Sequence, residues 1–281
     1  TSMRKKKLVM PVVKWVGGKR QLLDSLTPLL PKHFTTYCEP FLGGGALLFW
    51  QQPNKAIVND INKDLIQMYE VVCDDVESLI LELQKHKNVA EHFYAVRDWD
   101  RDKDKYSKLS KVEKAARIIY LNKTCYNGLF RVNNSGEFNT PFGHYKRPNI
   151  VNEGVLRAVN KYFQQADITF HCCDYAEVLA TIPRGTFVYL DPPYDPVSDT
   201  ANFTGYSQGG FNHEDQIRLR KCCDELNRRG IKFMLSNSAT KFILELYSAY
   251  PSITIVQAKR AINSNARRRG QVDEVVVRNY E

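Results

Sequence analysis

The stretch TFVYLDPPY, residues 186–194, decides how the rest of the chain is interpreted. Its first five residues are mostly β-branched or aromatic and are followed by prolines, which predicts a short buried strand. Asp191 ends this strand, and the next two prolines fix φ, carry no backbone N–H and restrict the residue before them. The sequence therefore predicts a rigid carboxylate and bare peptide carbonyls beside the ring of Tyr194. These groups suit an exocyclic amino group on a flat base, and an ordinary Asp-Pro turn is the alternative.

A glycine turn near the N-terminus predicts a nucleotide-like ligand. The sequence PFLGGG, residues 40–45, follows the extended stretch 35–39 and precedes residues 46–50, which can begin a helix. A strand, a glycine turn and a helix let the backbone approach a ligand closely. The next predicted strand, residues 56–60, ends in Asp60, whose carboxylate would bind a pair of ribose hydroxyls. The alternatives are a simple tight turn and a helix N-cap at Asp60.

The segment KWVGGK, residues 14–19, is a third candidate for ligand binding. Lys19 could hold a carboxylate, and the indole of Trp15 could stack on a cofactor or cover it. The alternative is that Trp15 anchors the core and Lys19 is a solvated charge.

The composition predicts a protein that binds a polyanion in the cytoplasm. A net charge of +9 favours attraction to nucleic acid, and 43% hydrophobic residues support a real core. No apolar run has the length of a membrane span, and no secretory apolar region is present. The seven cysteines lack a C-x-x-C spacing, which predicts free thiols. No His/Cys cluster has metal-ligand spacing, so no metal is expected.

Strands and helices alternate at both ends of the chain, and a different region interrupts them. Residues 1–62 and 153–281 are predicted to form a discontinuous catalytic, cofactor-binding domain. Residues 63–152 are predicted to form a mostly helical insert, with helices at 64–72, 76–83 and 113–122. Residues 253–259 and 272–279 are expected to pair as antiparallel strands. The expected fold class is α/β, a doubly wound sheet with an inserted smaller domain.

The insert carries the expected nucleic-acid contacts. Residues 133–136, NNSG, predict a turn between two strand-like arms at 129–132 and 138–142. Phosphate contacts are expected from lysines and arginines near this hairpin, namely Lys123, Lys146 and Arg147. The run Arg267-Arg268-Arg269 is a further candidate, with a solvated loop as the alternative. The stretch Asp98–Lys105 contains both acidic and basic residues and is expected to be a solvated helix face or loop.

Together these motifs resemble the S-adenosylmethionine-dependent DNA adenine-N6 methyltransferases. Their order is similar to the alpha group of that family, and residues 120–131 with 136–143 are similar to the recognition hairpin of the bacterial Dam type. Residues 201–204 and 262–265 add to the similarity, which runs from about Pro11 to the C-terminus. The resemblance implies a Rossmann-like methyltransferase sheet, a target-recognition domain at 63–152, and double-stranded DNA as the substrate.

The resemblance also assigns residues to the cofactor. It implies that Trp15 and Lys19 lie at the methionine end of S-adenosylmethionine and that Asp60 binds its ribose. Asp174 would bind the cofactor's adenine amino group, with a turn residue at a strand end as the alternative. The full set implied for the cofactor is Trp15, Lys19, Phe41, Gly43, Gly45, Asp60, Asp174 and Asp191.

The family's target, GATC, is implied by the recognition hairpin. Tyr126 would stack beside the gap that a flipped adenine leaves, and Arg131 would bind O6 and N7 of a guanine. Leu129 and Pro141 would touch thymine methyl groups. Asn127 would make polar contacts with bases, and Lys14 would contact the first base pair. The full set implied for DNA is Lys14, Tyr126, Asn127, Leu129, Arg131, Pro141, Lys146 and Arg147. His144 stands where an arginine is expected, which puts one phosphate contact in doubt.

The catalytic residues implied are Asp191, Pro192, Pro193 and Tyr194. Hydrogen bonds from the adenine N6 to the Asp191 carboxylate and the Pro192 carbonyl would free the nitrogen lone pair, and Tyr194 would stack on the base. A monomer is expected. A cognate restriction endonuclease and roles in DNA replication or mismatch repair are left open.

Three other functions remain as alternatives. An RNA or cytosine-N4 methyltransferase is disfavoured because the cytosine enzymes usually carry Ser where Asp191 stands. A DNA-binding module without turnover is disfavoured by the intact motifs. A nicotinamide oxidoreductase is disfavoured because the G-x-G-x-x-G spacing is incomplete.

Overall fold

A computed structural model describes residues 5–15, 20–197, 210–257 and 273–281. Several sequence predictions lie outside these residues, so their structure is not described. They are Lys19, the arginines 267–269, and the segments 201–204 and 262–265.

The described chain contains a seven-stranded, mostly parallel sheet with the order β3-β2-β1-β4-β5-β7-β6. Strand β1 pairs in parallel with β2 and β4, and β4 pairs in parallel with β5. Strand β7 is antiparallel to both β5 and β6, which confirms the predicted C-terminal pairing. The α/β class with a methyltransferase-like sheet is likewise confirmed. The strands are β1 Thr36–Glu39, β2 Lys55–Asn59, β3 Asp167–His171, β4 Thr186–Leu190, β5 Lys232–Ser238, β6 Ser252–Val256 and β7 Glu274–Arg278.

Strand β4 lies at the centre of the sheet and is buried along its whole length. A strand covered on both faces needs a continuous apolar run, which Thr186–Leu190 provides. The strand order reverses between β1 and β4, so this is the topological switch point of the sheet. Ligands of doubly wound sheets bind beyond the carboxyl ends of the strands at such a point. The residues that follow β1 and β4 there are Pro40-Phe41 and Asp191-Pro192.

The helices begin and end close to the predicted positions where the apolar spacing is strong. Helix α7 begins with a capping box, in which the side chains of Ser110 and Glu113 bond each other's backbone N–H. The described helices are α1 Arg20–Leu26, α2 Ala46–Gln51, α3 Lys63–Asp74, α4 Val76–Gln84, α5 Ala90–Arg97, α6 Lys103–Lys108, α7 Lys111–Thr124, α8 Glu153–Gln165, α9 Tyr175–Thr181, α10 His213–Arg228 and α11 Lys241–Leu246. Short 3-10 turns occur at Thr27–Leu29, Asp98–Arg101 and Tyr126–Gly128.

The chain divides into two compact units. Unit 1 comprises Thr1–Arg20, Gly43–Asn54 and Asp60–Cys172, and unit 2 comprises Gln21–Leu42, Lys55–Asn59 and Cys173–Glu281. In unit 1, α7 packs against α3 and α4, and α8 packs against α3. In unit 2, α9 and α10 cover strands of the sheet through a buried apolar cluster. The functional domain boundaries at 62/63 and 152/153 stay a prediction.

The expectation of a solvated stretch at Asp98–Lys105 is wrong for one residue. Asp100 is buried, and its Oδ2 accepts from the backbone N–H of Phe138 at 2.9 Å and from the guanidinium of Arg117 at 3.0 Å. Arg117 is buried as well. The alternating charges of this stretch did not reveal the ion pair, because Arg117 lies on α7, outside the stretch.

Candidate active site and nucleic-acid interface

The carbonyls of the two prolines after β4 differ in their hydrogen bonding. Asp191 is half-buried and Pro192 is buried. The Pro193 carbonyl accepts a hydrogen bond from Nε2 of Gln216 at 2.9 Å. None of the residues that the structure describes donates to the Pro192 carbonyl. Among the described residues, the acceptor predicted for an incoming amino group therefore has no donor from the protein.

Tyr194 is held as a neutral phenol next to Asp191. Burial raises its pKa well above the usual range, and the charges of Asp191 and Glu274 raise it further. A hydrogen bond with Ser236 opposes this shift but does not overcome it. The half-buried ring can therefore serve as a flat, uncharged surface for a base.

The glycine turn after β1 adopts the backbone conformation that glycine favours. Gly43 and Gly45 have φ values of 52° and 70°, in the left-handed region. The N–H of Gly43 donates to Oδ2 of Asp60 at 2.9 Å, and its carbonyl accepts from the hydroxyl of Tyr69 at 2.7 Å. The glycine turn and Asp60, which follows β2, are thus hydrogen-bonded to each other within unit 1.

Asp60 is oriented as a hydrogen-bond acceptor. Its Oδ2 accepts from Gly43, and its Oδ1 accepts from the backbone N–H of Asn62 at 2.9 Å. Burial raises the pKa of this carboxyl, and the two N–H bonds act against that rise. Each oxygen keeps a second lone pair, so the carboxylate can still accept from two ribose hydroxyls. This donor–acceptor chemistry fits the cofactor that the sequence predicts.

Trp15 contacts both the glycine turn and Phe130 of the predicted hairpin. Its ring stacks on Phe130, with centroids 4.8 Å apart and planes inclined by 22°. A methyl group added at Gly43 would lie 3.0 Å from Cδ1 of the indole. Trp15 therefore packs within unit 1 as an anchor. Its predicted contact with a cofactor stays a prediction.

Phe41 and Asp174 lie in unit 2, next to α9. The ring of Phe41 is 4.9 Å from that of Tyr175. Asp174 caps α9, because its Oδ1 accepts from the N–H of Ala176 at 2.9 Å. Its two oxygens also accept from Arg218 at 2.8 and 3.0 Å, and this hydrogen bonding holds the pKa of Asp174 below its usual value. The predicted contact of Asp174 with the cofactor stays a prediction.

The predicted hairpin exists, but it is made of isolated bridges rather than regular strands. Val132 pairs with Phe138, and Cys125 pairs with Phe142, both in antiparallel fashion. The turn is closed by the side chain of Asn133, whose Oδ1 accepts from the N–H groups of Ser135 and Glu137. Such a side-chain turn is what the NNSG sequence predicts.

The side chains predicted to touch DNA are displayed on the surface. Asn127 has a left-handed φ of 54°, and its N–H donates to the hydroxyl of Tyr145 at 2.9 Å. Nε of Arg131 donates to Oδ1 of Asn139 at 3.0 Å, so its guanidinium is oriented along the hairpin. The exposed members of the predicted set are Lys14, Tyr126, Asn127, Leu129, Arg131, Pro141, Lys146 and Arg147.

A buried amide on α7 fixes Lys14 to the hairpin. Oδ1 of Asn122 accepts from the backbone N–H of Lys14 at 2.9 Å. Its Nδ2 donates to the carbonyls of Lys14 at 2.6 Å and Gly128 at 3.2 Å. Asn122 therefore keeps the exposed side chain of Lys14 near the hairpin, as the prediction for a base contact requires.

Sequence reasoning missed two buried polar residues, Gln216 and Asn237, which bond the segment after β4. Gln216 lies in phase with the buried residues Leu219, Cys223 and Leu226 of α10, which makes it a polar side chain on an apolar stripe. Asn237 lies in the buried end of β5. A polar residue at an apolar position of a regular pattern is the signal that could have identified both.

Two kinds of feature are absent from the residues that the structure describes. Within residues 5–15, 20–197, 210–257 and 273–281, no helix is long and apolar enough to cross a membrane. In the same ranges, no three His, Cys, Asp or Glu side chains are grouped as a metal ion would require.

Comparison with known proteins places this geometry in a family context. A family model described as D12 class N6 adenine-specific DNA methyltransferase matches residues 15–262. The chain is 41% identical to the Type II methyltransferase M1.LlaDCHI of Lactococcus lactis subsp. cremoris, over 96% of this chain and 95% of that protein. It is 42% identical to the Type II methyltransferase M.MjaIII of Methanocaldococcus jannaschii, over 97% and 99%. It is 35% identical to the DNA adenine methylase of Escherichia coli (strain K12), over 94% and 93%.

Proposed function

Because the chain belongs to the D12 class of N6 adenine-specific DNA methyltransferases, we propose that it methylates a flipped-out adenine within GATC in double-stranded DNA, with S-adenosylmethionine as the methyl donor. The catalytic part of this proposal rests on the two acceptors in the segment after β4. Asp191 and the carbonyl of Pro192, to which no described residue donates, lie at the switch point of the sheet, where a ligand is expected.

We assign Asp191 and Pro192 to the amino group of the target adenine. The N6 lone pair is delocalised into the ring, so adenine is a poor nucleophile until its two N–H bonds are accepted in a geometry that frees the pair. The charge of Asp191 also favours the positive nitrogen that develops during transfer. Tyr194, kept neutral by burial, would stack on the base.

S-adenosylmethionine, when bound, would supply an electrophilic sulfonium methyl group. Asp60 would bind its ribose through the lone pairs that Gly43 and Asn62 leave available. The other residues proposed to hold it are Trp15, Lys19, Phe41, Gly45 and Asp174.

The recognition hairpin would read the sequence. Arg131 can present two N–H groups to O6 and N7 of a guanine, and Leu129 and Pro141 can contact thymine methyl groups. N6 lies inside the base stack of a duplex, so the adenine must leave the stack before it reaches Asp191. The exposed ring of Tyr126 is suited to stack beside the gap that remains. We propose that the protein acts as a monomer in the cytoplasm.

A plasmid protection assay tests the proposed specificity. Unmethylated plasmid is incubated with the protein and labelled S-adenosylmethionine, and then digested with nucleases that sense adenine methylation at GATC. The proposal expects label in adenine and altered cleavage at GATC alone. Label in adenine with unchanged cleavage at GATC would leave the reaction intact and refute the target sequence.

A further inference from the structure

The segment from Asp191 to Asp195 has few backbone N–H groups that could form hydrogen bonds with neighbouring elements. Pro192 and Pro193 carry no N–H, so this stretch cannot be fastened by an ordinary ladder of hydrogen bonds. Two anchors from other elements replace the ladder. They bind the carbonyl of Pro193 and the N–H of Asp195, on either side of Tyr194.

The two anchors are fully buried side-chain amides that also bind each other. Nε2 of Gln216, on α10, donates to the Pro193 carbonyl at 2.9 Å. Oδ1 of Asn237, on β5, accepts from the N–H of Asp195 at 2.9 Å. Nδ2 of Asn237 donates to Oε1 of Gln216 at 3.1 Å, and both residues are 0% exposed. We name this pair the amide clamp.

The orientation of the amide clamp is fixed by its partners. Oδ1 of Asn237 also accepts from the N–H of Ser238 at 2.8 Å. A flipped Asn237 would place its NH2 group against two N–H donors, which no amide tolerates. With Asn237 fixed, Oε1 of Gln216 must accept from it, so Nε2 of Gln216 must donate to Pro193.

The end of the same segment is secured by a second set of contacts. The carboxylate of Asp195 is buried and accepts from Oγ1 of Thr240 at 2.6 Å. It also bonds Nε2 of His213 at 2.8 Å, and the imidazole stacks on Phe242 with centroids 3.7 Å apart. Asp195 is thus held from α10, β5 and the residue preceding α11. Among the described residues, Gln216 of the amide clamp is the one that donates to the Pro193 carbonyl.

We propose that Gln216 and Asn237 are positioning residues for methyl transfer. By holding the peptide groups on both sides of Tyr194, the amide clamp sets the directions of the Asp191 carboxylate and the Pro192 carbonyl. This inference rests on the assignment of Asp191 and Pro192 made under the proposed function. Neither amide needs to touch the substrate, because each acts through the backbone that it holds.

The effect expected from such residues is on turnover rather than on binding. A displacement of about 1 Å at a reacting group can reduce a rate by roughly 100-fold. Loss of the bond from Gln216 should therefore lower kcat by about 10-fold to 100-fold. The KM for S-adenosylmethionine and the Kd for duplex DNA should remain near their original values.

The experiment compares full-length Gln216→Leu, Gln216→Glu and Asn279→Ala with the unmodified protein. Asn279 is a matched control, because its amide also bonds the backbone at the start of β5, accepting from Phe233 at 2.8 Å and donating to Ile231 at 2.9 Å. It lies at the end of β5 away from Asn237. For each protein one measures Tm, the single-turnover rate, KM for S-adenosylmethionine and Kd for a GATC duplex.

The Gln216→Glu variant separates positioning from packing. At high pH its carboxylate would face the Pro193 carbonyl without a hydrogen to donate. Protonation at lower pH restores that donor, and burial brings such a titration toward neutral pH. The rate of this variant relative to the unmodified protein should rise by about tenfold as the pH falls, since one lost buried hydrogen bond is worth a factor of this size.

The outcomes distinguish the two proposals. A slow Gln216→Leu protein with normal binding, beside a normal Asn279→Ala rate, supports the amide clamp. An unchanged rate for Gln216→Leu, or a rate loss matched by Asn279→Ala at equal Tm, overturns it. Asp191→Ala is measured in parallel. If that variant keeps its rate, the proposed catalytic assignment fails, whatever Gln216 does.

Discussion

Replacing Asp100 by alanine should destabilise unit 1 and loosen the hairpin that contains Phe138. Asp100 accepts from the backbone N–H of Phe138, which belongs to the hairpin, and from the guanidinium of Arg117 on α7. The side chains of Asp100 and Arg117 are only 11% and 5% exposed, so solvent cannot replace the lost partner. The variant leaves a buried cation with fewer acceptors and an N–H group without one.

The size of the effect follows from that burial. Removing one partner of a buried ion pair costs about 3–5 kcal/mol. Arg117 keeps bonds to the carbonyls of Val96 and Arg97 at 3.0 and 2.9 Å, which favours the lower part of that range. A loss of this size should lower Tm by about 5–7 °C in a chain of this length. The double variant Asp100→Ala/Arg117→Met should lose less than the sum of the single variants, because the unpaired charge is gone.

Thermal unfolding and duplex binding together provide the assay. We expect Asp100→Ala to lower Tm and to weaken binding of a GATC duplex, since the hairpin loses its contact at Phe138. Asp104→Ala is the matched control, because Asp104 pairs with Lys108 on the surface of the same region, and such pairs contribute little. Equal Tm values for Asp100→Ala and Asp104→Ala would refute the reasoning.

Three further predictions concern the site, and a fourth concerns the buried histidine His86 of unit 1. Arg131→Ala should relax discrimination at one guanine at a cost of about 1–3 kcal/mol of specificity, measured by competition between duplexes; an equal loss on every sequence would indicate a phosphate contact instead. Gly43→Ala should weaken binding of S-adenosylmethionine by calorimetry, because the residue has φ of 52° and the new methyl group would lie 3.0 Å from Trp15; unchanged affinity would show that the turn adapts. Burial lowers the pKa of His86 from 6.5 to about 4, so an unfolded chain binds the proton first and stability is lost as the pH falls from 6.5 toward 4. Denaturation at pH 5 and pH 7 should differ by about 2 kcal/mol from this group, and His86→Phe should remove that difference; an equal pH dependence in the variant would contradict the assignment. Asp191→Ala should abolish methyl transfer while duplex binding persists, and near-normal turnover would refute its role.

The sequence predicted those features that depend on local patterns. The continuous apolar run before Asp191 predicted a buried strand, and the structure has that strand at Thr186–Leu190. The resemblance seen in the motifs is confirmed by the family match. The prediction of a DNA adenine-N6 methyltransferase is confirmed at the level of the reaction class, whereas GATC and base flipping stay predictions.

Features that depend on distant partners could not be predicted. The sequence shows that Gln216 lies on an apolar stripe, but not that its amide meets Asn237 and the Pro193 carbonyl. Asp100 is one of several alternating charges in its stretch, and only the fold brings Arg117 to it. In both cases the deciding interaction joins elements whose relative placement a local pattern does not specify. Helix α8 is different, because its buried residues have helical spacing and a local pattern could have predicted it.

The most direct measurement is a crystal structure of the protein with a GATC duplex and a non-reactive analogue of S-adenosylmethionine. The account predicts an adenine outside the base stack, with N6 within about 2.6–3.2 Å of both an Asp191 carboxylate oxygen and the Pro192 carbonyl oxygen. An adenine that remains stacked in the duplex, or an N6 that bonds neither acceptor, would contradict it.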